Sequence, residues 1–139
     1  MSDVELFEQT AMRYRLRVFY EDTDASGVVY HANYLKYLER ARTLWLEAQG
    51  HSHRALADSH GIAFTLADAN LKFKQPARLD DDIEVLTTVA EHRRARIIFE
   101  QTIRREKTVL IQARFTVACV RIHDFRPCAL PELLQKEMQ

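Results

Sequence analysis

The sequence predicts an α+β domain, a mostly antiparallel sheet packed on one long helix. Three observations lead there. Apolar residues alternate with a period of two over several stretches; the stretch from Tyr34 to Gln49 is spaced in threes and fours instead; and the strand-like stretches that follow are joined mostly by short turns, which favours antiparallel pairing. The 139 residues, 47% of them hydrophobic, suffice for one core and leave no room for a second. The expected organisation is an N-terminal tail over 1–12 and a single domain over 13–139.

Taken in order, Tyr14, Leu16, Val18 and Tyr20 alternate with Arg13, Arg15, Arg17 and Phe19, the signature of a strand with one buried face, and the pattern stops at Glu21. The three arginines form a basic row expected to face water. The helix follows, with Tyr34, Tyr37, Leu38, Ala41, Trp45 and Ala48 along one side and Lys36, Glu39, Arg40 and Glu47 elsewhere. Asn33 suits its N-cap, Gly50 its left-handed end, and its length would be about 24 Å.

After Gly50, His51 to His60 form a polar segment able to hold a short helix before Gly61 breaks it. Its three histidines lack an HxxxH pair or cysteine partners, so an exposed linker is expected rather than a metal site. Phe64 and Leu66 then alternate in one phase and Leu71 and Phe73 in the other, which predicts a bulge near Asp68 to Asn70. Pro76 ends that strand and Asp80, Asp81 and Asp82 make a turn. Ile83, Val85, Thr87 and Val89 open the next strand, and another runs from Ala95 to about Arg104. The longest, with Val109, Ile111, Ala113, Phe115, Val117 and Cys119 on one face, is expected to be central.

Composition excludes some function classes. Twenty basic and twenty acidic residues cancel, so the strongly basic footprint of a nucleic-acid binder is missing. No run approaches the ~20 apolar residues of a membrane span, and the start carries acids rather than a basic leader, so the expected location is cytoplasmic. Cys119 and Cys128 lack CxxC spacing, and Cys119 reads as a buried thiol.

Between the first strand and the helix lies Asp22-Thr23-Asp24-Ala25-Ser26-Gly27-Val28-Val29-Tyr30-His31, acidic side chains beside the partly positive start of a helix. Aspartates in a turn commonly just accept hydrogen bonds from amides two residues on. Asp22, Asp24, Ser26 and Gly27 also fit the first half of a calcium loop, but position twelve is Asn33 instead of glutamate and a strand precedes the loop.

The string YEDTDASGVVYHANYLKYLERAR resembles the signature of hot-dog acyl-CoA thioesterases of the 4-hydroxybenzoyl-CoA thioesterase type, most closely the bacterial branch associated with the Tol-Pal envelope system. Pro76-Ala77-Arg78-Leu79-Asp80-Asp81 and Arg126-Pro127-Cys128-Ala129-Leu130-Pro131 are similar to that branch too. Ser26 departs from it, since glycine is commoner there. The resemblance implies a hot-dog fold, its curved sheet wrapped around the helix, a homodimer or homotetramer with sites at the subunit interface, and hydrolysis of an acyl-CoA without metal or other cofactor. It makes Asp24 the catalytic carboxylate, as general base or nucleophile, and the His31 backbone N–H the oxyanion donor.

The His31 imidazole, with a reference pKa of ~6.5, is either a proton carrier or a packed residue at the helix start. Tyr30 and Asn33 would shape the pocket. Glu39, three positions before Arg42, reads as half of a surface ion pair. Arg93 and Arg94, in the turn His92 to Arg96, are the best patch for the phosphates of CoA, ahead of Lys72 and Lys74. Acyl carrier protein could replace CoA as the carrier. The rival readings are a hot-dog dehydratase, against which the DxD turn argues, and a non-catalytic acyl-thioester-binding scaffold near envelope or phospholipid machinery.

Overall fold

A computed structural model describes residues 10–138. Its five strands are β1 (Met12–Arg17), β2 (Ile62–Phe73), β3 (Asp82–Arg93), β4 (Arg96–Arg105) and β5 (Thr108–Arg121), and its helices α1 (Asn33–Ala48), α2 (His53–His60) and α3 (Glu132–Glu137). The strands form one sheet in the order β1-β3-β4-β5-β2, every neighbouring pair antiparallel. The expected tail over 1–12 falls mostly outside the described residues; its last member, Met12, opens β1.

The α1 stripe buries Tyr34, Tyr37, Leu38, Ala41 and Trp45 as its spacing foretells. The last position differs. Ala48 is exposed and Leu46 is buried in its place, because the end of α1 packs with Leu56 of α2 and with Leu130 and Leu134 around α3. Around α1 the core divides in two: Tyr34, Tyr37, Leu38 and Ala41 pack with Val85, Ile103, Ile111 and Phe115, whereas Trp45 and Leu46 pack with Ile97, Phe99, Val117 and Cys119.

A polar bridge crosses the core between these halves. The Gln101 amide, 1% exposed, donates to the Leu38 carbonyl at 3.0 Å and to the Thr87 hydroxyl at 2.9 Å. Arg42 donates to Gln101 Oε1 at 3.0 Å while its guanidinium lies 4.2 Å above the Phe115 ring. Burial pulls the Arg42 pKa down to about 10, the charge of Glu39 opposing.

Several boundaries are corrected. β1 ends at Arg17, and a 3-10 turn over Tyr20–Asp22 leaves Tyr20 82% exposed, not on the strand's buried face. Asn33 is the first helical residue rather than the N-cap, which is Ala32 without a side-chain hydrogen bond. Gly50 does carry the positive φ, +89°, that follows the helix. The polar segment after it is no mere linker: Ser52 caps α2 by accepting from the Ala55 amide, Leu56 is buried, and Gly61 closes α2 at φ +65°. In β2 the register shifts between Leu66 and Asp68, so the bulge falls on Ala67, one residue early. A second shift, between Val89 and Glu91, had no sequence signal because both phases there are mixed. β5 is interior, but the middle strand is β4.

On the face away from α1, the arginine row is exposed yet paired. Glu84 accepts from Arg13, Arg15 and Arg104, and Arg17 lies 3.8 Å from Asp82. Cys119 and Cys128 are free, their sulfurs 3.7 Å apart; burial, then the neighbouring thiol, pushes the Cys119 pKa up to about 12. None of the described helices is long and apolar enough to cross a membrane.

Candidate active site

The turn before α1 is held at both ends. Asp22 accepts the Phe19 amide on its carboxylate at 2.9 Å, and its carbonyl accepts the Tyr30 amide and the Asn33 side-chain amide, each at 2.9 Å. Asp22 is therefore structural, and Asn33 ties the helix start to it. An antiparallel bridge from Val28 to Arg78 and a bond from the Leu79 amide to the Gly27 carbonyl fix the other side of the turn.

Asp24 projects from this frame into solvent. Its Oδ1 accepts the Ser26 hydroxyl at 2.5 Å and the Ser26 amide at 2.8 Å, and Oδ2 has no partner among the described residues. These two bonds, the hydroxyl first, hold its pKa below the usual carboxylate range, and the charge of His31 adds to them. An ionised carboxylate with one anchored and one open oxygen can attack a carbonyl or take a proton from water. The bond from the Ser26 amide is the one expected of a turn aspartate, from two residues on, whereas the bond from the Ser26 hydroxyl was missed in the sequence, where Ser26 stood as a calcium-loop position and a residue in place of glycine.

His31 lies just before α1, exposed, its ring 4.5 Å from that of Tyr30 at 50°. Its backbone N–H has no acceptor among the described residues, whereas the Tyr30 and Asn33 amides beside it are used. An unused amide at a helix start is a ready oxyanion donor. Asp24, Tyr30, His31 and Asn33 are thus brought together.

Arg93 and Arg94 are not. Arg93 ends β3 and Arg94 follows it in the β3–β4 turn, while the Asp24 turn is tied by Val18, Asp80 and Asp81 to the other end of β3. The strand between measures about 35 Å at ~3.3 Å per residue. Arg93 pairs with Glu91 at 2.9 Å; Arg94 and Arg96 are exposed and have no ion pair among the described residues.

A cavity of about 150 Å³ lies toward that far end, between α1, α2 and the sheet, walled by Trp45, Phe64, Phe99 and Val117. Glu39 and Arg42 both line it, and the expected surface pair between them is not formed. Instead Glu39 accepts the Thr43 hydroxyl at 3.1 Å, and His53 Nε2 lies 3.0 Å from that hydroxyl. Arg42 turns inward because Gln101 offers a buried acceptor.

The orientation of α1 decides how these parts relate. Tyr34, at its start, meets Phe73 at the end of β2 with ring centroids 6.0 Å apart, and His53, beyond its end, meets Phe64 near the start of β2 at 6.1 Å. α1 therefore runs antiparallel to β2, an edge strand whose residues Leu66 to Asn70 are all exposed. Leu66 and Phe73 leave 49% and 58% of their surfaces open, large apolar side chains on an unpaired edge.

A family model described as the thioesterase-like superfamily matches residues 18–138. An acyl-CoA thioesterase named YbgC from Haemophilus influenzae is 41% identical over 117 residues, covering 84% of this chain and 86% of that protein. The acyl-CoA thioester hydrolase YbgC of Escherichia coli O6:H1 is 40% identical over 131 residues, covering 94% and 97%. The crystal structure of a probable thioesterase from Bartonella henselae superposes with a TM-score of 0.84 at 30% identity, over 88% of this chain and all of that one.

Proposed function

The chain belongs to the thioesterase-like superfamily, with the hot-dog fold, and is an acyl-CoA thioesterase; from that premise we propose how its residues carry the reaction. Asp24, through its open Oδ2, attacks the thioester carbonyl or takes a proton from the attacking water. The His31 N–H receives the oxyanion at the positive end of α1, and CoA leaves as a thiolate. No other nucleophile is required, because a thiolate is already a good leaving group. The observation that carries this reading is the pairing of an anchored, solvent-facing carboxylate with an unused amide two residues before a helix start.

A second copy completes the site. Pairing two β2 edges antiparallel about a two-fold axis sets the Phe73 end of one protomer against the Phe64 end of its partner. The Asp24 turn of one protomer then faces the cavity and the exposed Arg94 and Arg96 of the other, where the CoA phosphates bind. The working form is a homodimer, or a homotetramer made of two such dimers, acting in the cytoplasm. The resemblance to the Tol-Pal-associated branch supports a role beside the cell envelope, with acyl carrier protein as an alternative carrier.

Thiol release from short, long and aromatic acyl-CoAs, measured for the native protein beside Asp24→Asn, tests the chemistry. Mixing Asp24→Asn subunits with Arg94→Ala/Arg96→Ala subunits tests the sharing: mixed dimers regain one intact site. Native protein that releases no thiol would leave the scaffold reading in its place.

A further inference from the structure

The cavity beside Trp45 has mostly apolar walls, and Glu39, Arg42 and His53 also line it. Of these, Arg42 turns its guanidinium into the core, 4.2 Å above the Phe115 ring that belongs to the other half of the core. Its hydrogen bond to Gln101 joins it to a buried chain that reaches Leu38 and Thr87. An apolar chain growing past this point must separate Arg42 from Gln101, leaving a buried acceptor unpaired and a guanidinium against hydrocarbon.

Resting on the thioesterase reading above, we propose that Arg42 sets the length of the acyl group, and that the enzyme acts on short aliphatic or single-ring acyl thioesters. A cavity of about 150 Å³ holds about one benzene ring, and therefore about six carbons. Within that length each added methylene gains hydrophobic contact with Trp45, Phe64, Phe99 and Val117. Beyond it the chain meets the Arg42–Gln101 pair and gains nothing. Arg42 is a specificity residue that touches the end of the acyl group, far from the bond that breaks.

Trp45 is the only tryptophan in the chain, so its emission reports occupancy of this cavity without any turnover. Thioether analogues of butyryl-, hexanoyl-, octanoyl- and decanoyl-CoA, which cannot be hydrolysed, are titrated against that emission. In the native protein affinity rises about fourfold per methylene up to the hexanoyl analogue and then stops rising. Arg42→Ala moves the break to the longer chains, Arg42→Lys leaves it, and Val117→Leu, which narrows the wall, moves it to shorter ones. An uninterrupted rise through decanoyl in the native protein overturns the proposal, as does an unchanged break in Arg42→Ala with a native circular-dichroism spectrum. If that variant does not fold, an unshifted break in Val117→Leu overturns it equally. Thiol release from the matching thioesters is run in parallel: no turnover with the break intact defeats the thioesterase reading and leaves the length limit standing.

Discussion

Ser26 donates twice to a single oxygen of Asp24, its hydroxyl at 2.5 Å and its amide at 2.8 Å from Oδ1. Removing the hydroxyl removes the largest cause of the lowered Asp24 pKa. In the proposed mechanism the depressed pKa keeps the carboxylate ionised, and so the enzyme active, to lower pH than an ordinary aspartate would allow. In Ser26→Ala the acid limb of the kcat/KM profile therefore moves to higher pH while the plateau changes less. A limb that stays in place would show that the bond does not govern the reacting carboxylate.

Asp24→Asn keeps the shape of the turn, because the amide oxygen still accepts from Ser26, but discards the negative charge. The expected loss in kcat is at least ~100-fold, within the range for removing a general base or nucleophile. Fold is monitored by circular dichroism, which should not change.

Asn33→Ala cuts the tie between the start of α1 and the Asp22 carbonyl. About 1 kcal/mol of stability should go with it, from a partly buried hydrogen bond whose acceptor keeps a second donor, the Tyr30 amide. Chemical denaturation gives the first number. A fall in kcat larger than any rise in KM would follow from the His31 amide losing its position relative to Asp24.

Glu84 is a stability site on the opposite face. Burial opposes its ionisation, but bonds from Arg15 and Arg104 and the charge of Arg13 outweigh that and leave its pKa lowered. Glu84→Gln should cost about 2 kcal/mol near neutral pH, since Arg104 is as enclosed as Glu84 itself, each side chain 13% exposed. A carboxylate with a depressed folded pKa stabilises above its unfolded value and loses that contribution as pH falls through the folded one. The difference between native and variant melting temperatures should accordingly shrink in acid.

Much of this architecture was legible from period alone. Tyr34, Tyr37, Leu38, Ala41 and Trp45 announced the buried face of α1, and the change of phase between Leu66 and Leu71 announced a bulge to within one residue. Arg42 was not legible, because a cation interrupting an apolar stripe reads as a surface residue until a buried partner such as Gln101 is known, and that partner lies 59 residues away. The same holds for Glu39, whose spacing to Arg42 suggested a pair that a neighbouring hydroxyl, Thr43, displaced. Asp24 and His31 stood out through family resemblance, Ser26 did not. That the basic turn at Arg93 and Arg94 lies far from Asp24 in one chain depends on strand order, which local pattern does not encode.

Strand order also sets a sequence in time. β3, β4 and β5 are successive hairpins with close partners, whereas β2 must find β5 across 38 to 59 residues, from Phe73 opposite Ile111 to Ile62 opposite Arg121, and β1 must find β3 across 65 to 75, from Arg17 opposite Asp82 to Met12 opposite Thr87. Closing long loops costs entropy before any contact returns it, so the hairpins form early and the β1 edge late. The Asp24 turn hangs on that late edge through Val18 and Asp80. In pulse-labelled hydrogen exchange, amides of β4 should gain protection before those of β1, and catalytic competence should be the last property a refolding chain acquires.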